Sequence, residues 1–356
     1  MTLLTARPTT VLRSPDDSTA TAPPEHRGLA RDQVRLLVAT PTGLTHTRFA
    51  ALPDHLDSGD LLVVNNSATR AAEMDVVTDD GEPVVMHLAT ELDAGRWVVE
   101  LRTAPAADKP ILDAVPGTGY CGPIGIRITL RQAYPEPGSS PTGCGSRLWL
   151  ADIDGPADVA AALPAIGRPI AYGYLRDRFP LADYQTVFAT TDGSAEMPSA
   201  ARPFSGGLVA RLVAGGVRIA PITLHTGVSS QEAGEAPQPE WRAVPDGTAD
   251  LVNHTRAVGG RVIAVGTTAA RALESAVGRD GAVAGATGWT GHIIEPAHPV
   301  QVIDGMITGW HNPDASHLLL VEQVAGAELT QRAYDAAVAA RYLWHEFGDS
   351  GLLLRR

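Results

Sequence analysis

The segment from Gly259 to Ser275, GGRVIAVGTTAARALES, constrains this chain more than any other. Its continuous apolar run over 261–265 is the mark of a buried strand. Gly266-Thr267-Thr268 follows as a tight turn, and 269–277 carries a helical period. A buried strand that feeds a helix is the unit from which α/β layered domains are built. At such a helix start, backbone N–H groups and two hydroxyls can bind a carboxylate or a phosphate. The turn is not a Walker loop, and it is not the GxGxxG dinucleotide fingerprint, because neither spacing is present. Two readings stand at this point: an anion or cofactor site, or a purely structural turn.

Residues 35–39 and 44–49 read as two strands of a hairpin around Pro41-Thr42-Gly43, and 61–64 as a buried strand that stops at Asn65-Asn66. From about residue 71 to 152 the pattern changes to short alternating segments, PVVMHLATEL, RWVVELRT, IGIRITLRQ and SRLWLADI, separated by turn residues. Such spacing, with no helical period, points to a small all-β barrel or sandwich. Helices are expected over 206–214, over 246–258 with Asp246 as the cap, and around 317–325 and 329–344, with a strand over 217–225. The α/β domain is therefore discontinuous, 29–70 with 155–356, and the β-segment 71–154 is an insertion. Residues 1–28, rich in Thr, Pro, Ser and Asp without an apolar period, read as a mobile tail.

The formal net charge of -12 argues against a protein held on nucleic acid by bulk electrostatics, but a local basic groove is compatible with it. Two cysteines, Cys121 and Cys144, exclude a disulfide framework and a Cys-rich zinc site. No run of roughly 18 apolar residues is present, so a spanning helix is not expected. Nor is a cleavable signal, which leaves a reduced, cytoplasmic setting as the expectation. There is no HExxH spacing for a metal and no GxSxG elbow. His225 in TLHTG, His292 in WTGHI and His311 in TGWHNP lie near expected strand ends, where each is a base, a ligand or a structural histidine. Trp289, Trp310, Tyr184 and Trp344, with Asp304 and Asp349 nearby, can hold a cation or simply pack the core.

Taken together, several stretches resemble the S-adenosylmethionine:tRNA ribosyltransferase-isomerases of queuosine biosynthesis. They are RDQVRLLV, LTHTRFAALPDHLDSGDLLVVNN, YQTVFA, GSAEMPSA, ITLHTG, GGRVIAVGTTAARALES, GWT, IDGMITGWHNP and AYDAAVAARYLWHEFGDS, in family order from about Arg31 to Asp349. The resemblance implies a discontinuous α/β layered domain with an inserted small antiparallel β-barrel. It implies that S-adenosylmethionine is a co-substrate whose ribosyl part is transferred and isomerised, without a metal. The implied acceptor is the 7-aminomethyl-7-deazaguanine base of tRNA, giving epoxyqueuosine-tRNA, adenine and methionine. A sulfonium acidifies its neighbouring CH₂ groups, so a modest base can act on the ribose, and adenine needs an acid or donor to leave. On this resemblance, His225, His311 and Asp349 are candidates for proton transfer. Gly266, Thr267, Thr268, Trp289, Tyr184 and Asn65 are candidates for binding S-adenosylmethionine, and Arg202, Glu240 and Arg271 for binding the acceptor. A tRNA partner further implies a basic cluster near the pocket drawn from Arg31, Arg35, Arg202, Arg261 and Arg271.

The chain also departs from the family pattern. Pro203 stands where the family has a histidine, Gly291 where it has Asp, Gly309 where it has Asn, and Asn66-Ser67-Ala68 where it has Asp-Thr-Arg. Ser229-Ser230-Gln231 replaces its Gly-Thr-Phe segment, and of its His-x-Met-His-x-Glu only Glu240 persists. Two alternatives follow from these departures and the acidic charge: ribosyl chemistry on a small molecule or with no acceptor, and a binding module that keeps the fold without turnover.

Overall fold

The computed structural model describes residues 4, 6–13, 17–92, 95–137, 144–155, 158–229, 234–311 and 316–355. In chain order its strands and helices begin with β1 (Arg35–Thr40), β2 (Gly43–Arg48), β3 (Leu61–Asn65) and β4 (Ser67–Thr69). Six strands follow: β5 (Glu73–Thr78), β6 (Pro83–Glu91), β7 (Arg96–Thr103), β8 (Gly119–Cys121), β9 (Arg127–Ala133) and β10 (Leu148–Asp154). The chain then alternates through α1 (Val159–Ile166), β11 (Thr191–Ser194), α2 (Gly206–Ala214), β12 (Arg218–Leu224), β13 (Glu240–Val244), α3 (Asp246–Ala257) and β14 (Val262–Val265). It closes with α4 (Thr267–Glu274), β15 (Ala286–Thr290), β16 (Gly305–Gly309), α5 (Ser316–Ala325), α6 (Ala327–Ala339) and β17 (Ser350–Leu354).

Nine strands form one sheet in the order β15-β13-β12-β3-β14-β16-β17-β1-β2. Its centre, β12-β3-β14-β16, is parallel; β13 and β15 extend it antiparallel on one side, and on the other β17 is antiparallel to β16, β1 parallel to β17 and β2 antiparallel to β1. Side chains alternate across a strand, so β3 feeds two cores at once. Leu61 and Val63 join Ala264 and Leu273 on the face covered by α3 to α6, while Leu62 and Val64 join Ile263 and Leu208 on the face covered by α2. Burial on both faces is why β3 and β14 read as unbroken apolar runs. Asp246 is the first residue of α3, with Pro245 at the cap, rather than the cap itself.

Strands β5 to β10 close into a six-stranded antiparallel barrel, in the order β10-β7-β6-β5-β8-β9, around a separate core that includes Met74, Met86, Leu101 and Ile128. A buried charge network ties this barrel to the α/β domain. His87 bonds Glu73 through Nε2 at 3.1 Å and Glu100 through Nδ1 at 3.0 Å. Arg168 and Arg178 reach Glu73, and Arg147 bridges Glu100 to Glu235.

The described part of residues 1–28 packs against the chain and is not the mobile tail expected from composition. Thr9 and Thr10 donate backbone N–H and hydroxyl hydrogen bonds to Glu322 on α5. The Ala20 N–H donates to the Trp344 carbonyl and the Trp344 N–H to the Ser18 carbonyl, and Arg27 donates to the Phe347 carbonyl. Polar side chains and backbone, which sequence reading assigns to solvent, are here satisfied by the C-terminal part of the chain. Residues 1–3, 5 and 14–16 of that tail lie outside the described residues.

Burial alone would raise the carboxyls of Glu73 and Glu100, but His87 and the surrounding arginines override it and hold both at about 2. Their contribution to stability is thus present above the unfolded value of about 4.3 and is lost as the pH falls toward 2. His87, which burial would lower and the two carboxylates raise, contributes below about pH 6.5 and loses that contribution as the pH climbs through its raised value. Glu100→Gln is expected to destabilise the fold by about 3–5 kcal/mol at pH 7. It is also expected to flatten the acid limb of a denaturant-midpoint profile; an unchanged acid limb would contradict this role.

Candidate active site

β14 delivers the chain to the rim of the site. Gly266, at φ 90° and ψ 160°, turns it into α4, and a Cβ there would lie 3.1 Å from Ala200 Cβ. Both the left-handed region and the close approach require glycine at this position. The Gly266 N–H donates to the Ile307 carbonyl at 2.8 Å, so β16 fixes the turn. No side chain caps α4, and Thr268 Oγ1 is buried without a partner among the described residues. The first-turn N–H groups of a helix have no intrahelical acceptor, and these line a cavity.

That cavity has a volume of about 760 Å³ and lies between the sheet's C-terminal edge and the barrel. Ala89, Thr90, Val98 and Arg102 form its barrel wall, while Met197 to Ala200, Gly266 to Thr268 and His311 come from the α/β domain. A cleft of this size suits a nucleoside-sized ligand.

Three kinds of group face the cavity. His311 and His317 stack with ring centroids 4.4 Å apart, and burial drives His311 well below its ordinary value and His317 to about 4. Both are therefore neutral near pH 7. Glu240 is pushed up by burial against the pull of its ion pair with Arg271, and its other oxygen accepts the Gly227 N–H at 3.1 Å. Arg271 also donates to the carbonyls of Gln238 and His292, so it braces the wall with its guanidinium already occupied. The third group is a carboxyl pair. Glu196 accepts from Tyr172, from Ser229 Oγ and, at 3.0 Å, from Ser229 N. Glu346 accepts from Tyr174 at 2.8 Å, and burial followed by the nearby Glu196 charge raises it to about 8.

Of the residues expected from sequence, the cavity thus gathers His292, His311, Gly266, Thr267, Thr268, Glu240 and Arg271. His225 and Trp289 line a second cavity of about 320 Å³ with Arg70, Asp192 and Trp241, which shares Ala89 and Thr90 with the first. There His225 stacks on Trp241 at 5.1 Å and bonds Ser67 Oγ at 2.8 Å.

The remaining four candidates do not line either cavity, for structural reasons. Asp349 accepts from the backbone N–H groups of Arg35 and Leu343 and from the Arg35 guanidinium, joining β1 to the chain before β17. Asn65 clamps the end of β3 to Leu224. Tyr184 is buried against Phe347, and Arg202 is held by both oxygens of Glu25. The expected basic cluster does not assemble either. Arg31 and Arg202 pair with Glu25, Arg35 with Asp349, Arg261 with Asp57 and Asp60, and Arg271 with Glu240. Among the positions that depart from the family pattern, Gly309 lines the cavity, whereas Pro203 is buried elsewhere and Gly291 is exposed. Ser230 and Gln231 lie outside the described residues.

Sequence reasoning missed Glu196, Tyr172, Tyr174, His345 and Glu346. Glu196 and Glu346 occur within GSAEMPSA and YLWHEFGDS, the only signal that marked them, and nothing in their spacing brings them together. Among the described residues, no cluster of three or more His, Cys, Asp or Glu could hold a metal, and no helix is long and apolar enough to cross a membrane.

Fold and cavity together define a discontinuous α/β protein in which a barrel insertion closes one side of the larger cavity. The family model described as "Queuosine biosynthesis protein" matches residues 12–353. The S-adenosylmethionine:tRNA ribosyltransferase-isomerase of Xanthobacter autotrophicus is 33% identical over 360 residues, covering 93% of this chain and 96% of that one. The protein of the same name from Acidiphilium cryptum is 35% identical over 334 residues, covering 91% and 93%. A crystal structure of S-adenosylmethionine tRNA ribosyltransferase from Thermotoga maritima shares the fold. Its TM-score is 0.52 at 24% identity, over 96% of this chain and 99% of that one. The chain belongs to the queuosine biosynthesis protein family.

Asp349 thus acts through structure. Asp349→Ala is expected to lower stability by about 2–3 kcal/mol, since it orphans a partly buried guanidinium and two N–H donors. Chemical denaturation measures this; a loss below about 0.5 kcal/mol, the range of ordinary surface substitutions, would contradict the assignment.

Proposed function

We propose that this chain uses S-adenosylmethionine as a co-substrate for ribosyl transfer and isomerisation, with the deazaguanine base of tRNA as acceptor. One observation carries the reading: the uncapped start of α4, with the unpartnered Thr268 hydroxyl, lines a nucleoside-sized cavity that also holds neutral histidines and a carboxyl pair. The residues fit the ligand. The helix start and Thr268 would take the methionine carboxylate. The Glu196 carboxyl, which also lines the cavity, suits a sulfonium. When bound, the sulfonium supplies acidified C–H bonds on the ribose. His311, neutral because it is buried beside His317 and His345, would accept the proton. Glu240 and Arg271 hold the 238–240 and 290–292 segments together and so shape the wall.

A second reading, ribosyl chemistry on a small molecule or with no acceptor, draws support from the arginines. Every guanidinium expected to meet RNA phosphate already has a carboxylate partner.

Adenine release separates the readings. Purified protein is incubated with S-adenosylmethionine, with and without tRNA carrying the aminomethyl-deazaguanine base. Release that requires this tRNA is the expected outcome. Release without RNA supports the second reading, and binding with no release under either condition contradicts both. Thr268→Val is expected to raise KM for S-adenosylmethionine about tenfold, the worth of roughly one charge-assisted hydrogen bond, with kcat little changed. An unaltered KM would remove Thr268 from the ligand site.

A further inference from the structure

The cavity contains a carboxyl group that the scheme above leaves without work. Glu346 follows His345, a non-glycine residue at φ 69°, a backbone conformation that recurs at functional sites. Tyr174 stacks on the His345 ring at 4.8 Å and donates its hydroxyl to Glu346 Oε1 at 2.8 Å. Glu346 Oε2 is buried and has no partner among the described residues. Because Oε1 is the acceptor of the tyrosine hydroxyl, a proton on this carboxyl sits on Oε2. Glu196 is the fixed negative charge nearby, with its oxygens filled by Tyr172 and Ser229. The other groups in range of Glu346 are the hydroxyls of Tyr174 and Tyr184 and the His345 ring, none of which is cationic near pH 7.

We propose that Glu346 is the general acid of this cavity and gives its proton to the leaving heterocycle of the nucleoside substrate. The inference rests on the functional reading above. In the step, the acidified ribose C–H gives its proton to His311 and its electron pair forms the new π bond of the sugar, while the glycosidic C–N bond breaks and that bond's pair leaves on the purine. The O–H bond of Glu346 breaks, and its proton forms an N–H bond on that purine. Neutral adenine and a carboxylate result, and solvent returns the proton. Rotation about the terminal torsion of glutamate, which is broad, brings the protonated oxygen toward the cavity. The alternatives in the wall are unsuited to the task. His311, His317 and His345 are held neutral by burial, Glu240 is paired with Arg271, and Glu196 accepts from three donors. Glu346 is the carboxyl that burial and the neighbouring Glu196 raise, to about 8, so it carries a proton to give near pH 7.

The test compares the full-length parent with E346Q, E346D and E196Q. Single-turnover adenine release is measured across the pH range, with S-adenosylmethionine affinity measured by calorimetry. In E346Q, release is expected to fall about 100-fold or more, with affinity kept within about threefold, and E346D is expected to recover part of the rate. The parental rate should decline as the pH rises through about 8, and that inflection should move to lower pH in E196Q, where the like charge is gone. Parental release in E346Q, or persistence of its alkaline inflection there, overturns the proposal.

A readout independent of turnover is the pH dependence of stability. A carboxyl raised in the folded state costs stability progressively as pH climbs from its ordinary value of 4.5 to about 8. E346Q should therefore gain thermal stability relative to the parent across that window, and matching profiles overturn the proposal even if E346Q is inactive. A parent that releases no adenine under any condition overturns the functional reading instead; the stability profile then decides whether the proton is held.

Discussion

The site depends on a backbone constraint at one residue. The buried parallel strand β14 must leave the sheet, reverse and start α4 within a single turn, and Gly266 accomplishes this in the left-handed region. Its N–H is anchored to β16, and its missing side chain lets the 196–200 segment approach. The open N–H groups of α4 line the cavity as a consequence. A cap residue or a Cβ would crowd this edge, so the same feature that ends the strand leaves the helix start open to the cavity.

The second requirement is a fixed barrel. A cavity shared by two structural units keeps its shape only if the units cannot slide. The network of His87, Glu73, Glu100, Arg147, Arg168, Arg178 and Glu235 supplies that fixation through buried charges with specific geometry. Such networks contribute modestly to net stability but are severely disrupted when one member is lost. Arg102 lines the cavity and also pairs with Glu100, so the clamp and the site share a residue.

Much of the architecture was legible in the sequence because it follows from periodicity. The unbroken runs of β3 and β14, the alternating segments of the barrel and the 206–214 helix each occur where their patterns place them. Gly266-Thr267-Thr268 was legible for the same reason. What pattern could not convey was partnership across long separations. Asp349 and Asn65 look like functional polar residues in sequence, yet each is used up by backbone N–H groups or a guanidinium brought to it by folding. The arginines look like a nucleic-acid footprint, yet each is paired with a carboxylate from elsewhere in the chain. Glu196 and Glu346 are unremarkable letters until folding places both on one wall. Composition misjudged the described part of residues 1–28 for a related reason, since its partners, Glu322, Trp344 and Phe347, lie at the opposite end of the chain.

A crystal structure with S-adenosylmethionine, or a stable sulfonium analogue, tests the central claim most directly. The account expects the ligand in the larger cavity, with its amino-acid carboxylate on the N–H groups of Thr267 and Thr268 and its purine on the side of Glu346. Ligand density confined to the smaller cavity beside Trp241 and Trp289, or a carboxylate bound away from the start of α4, would contradict it.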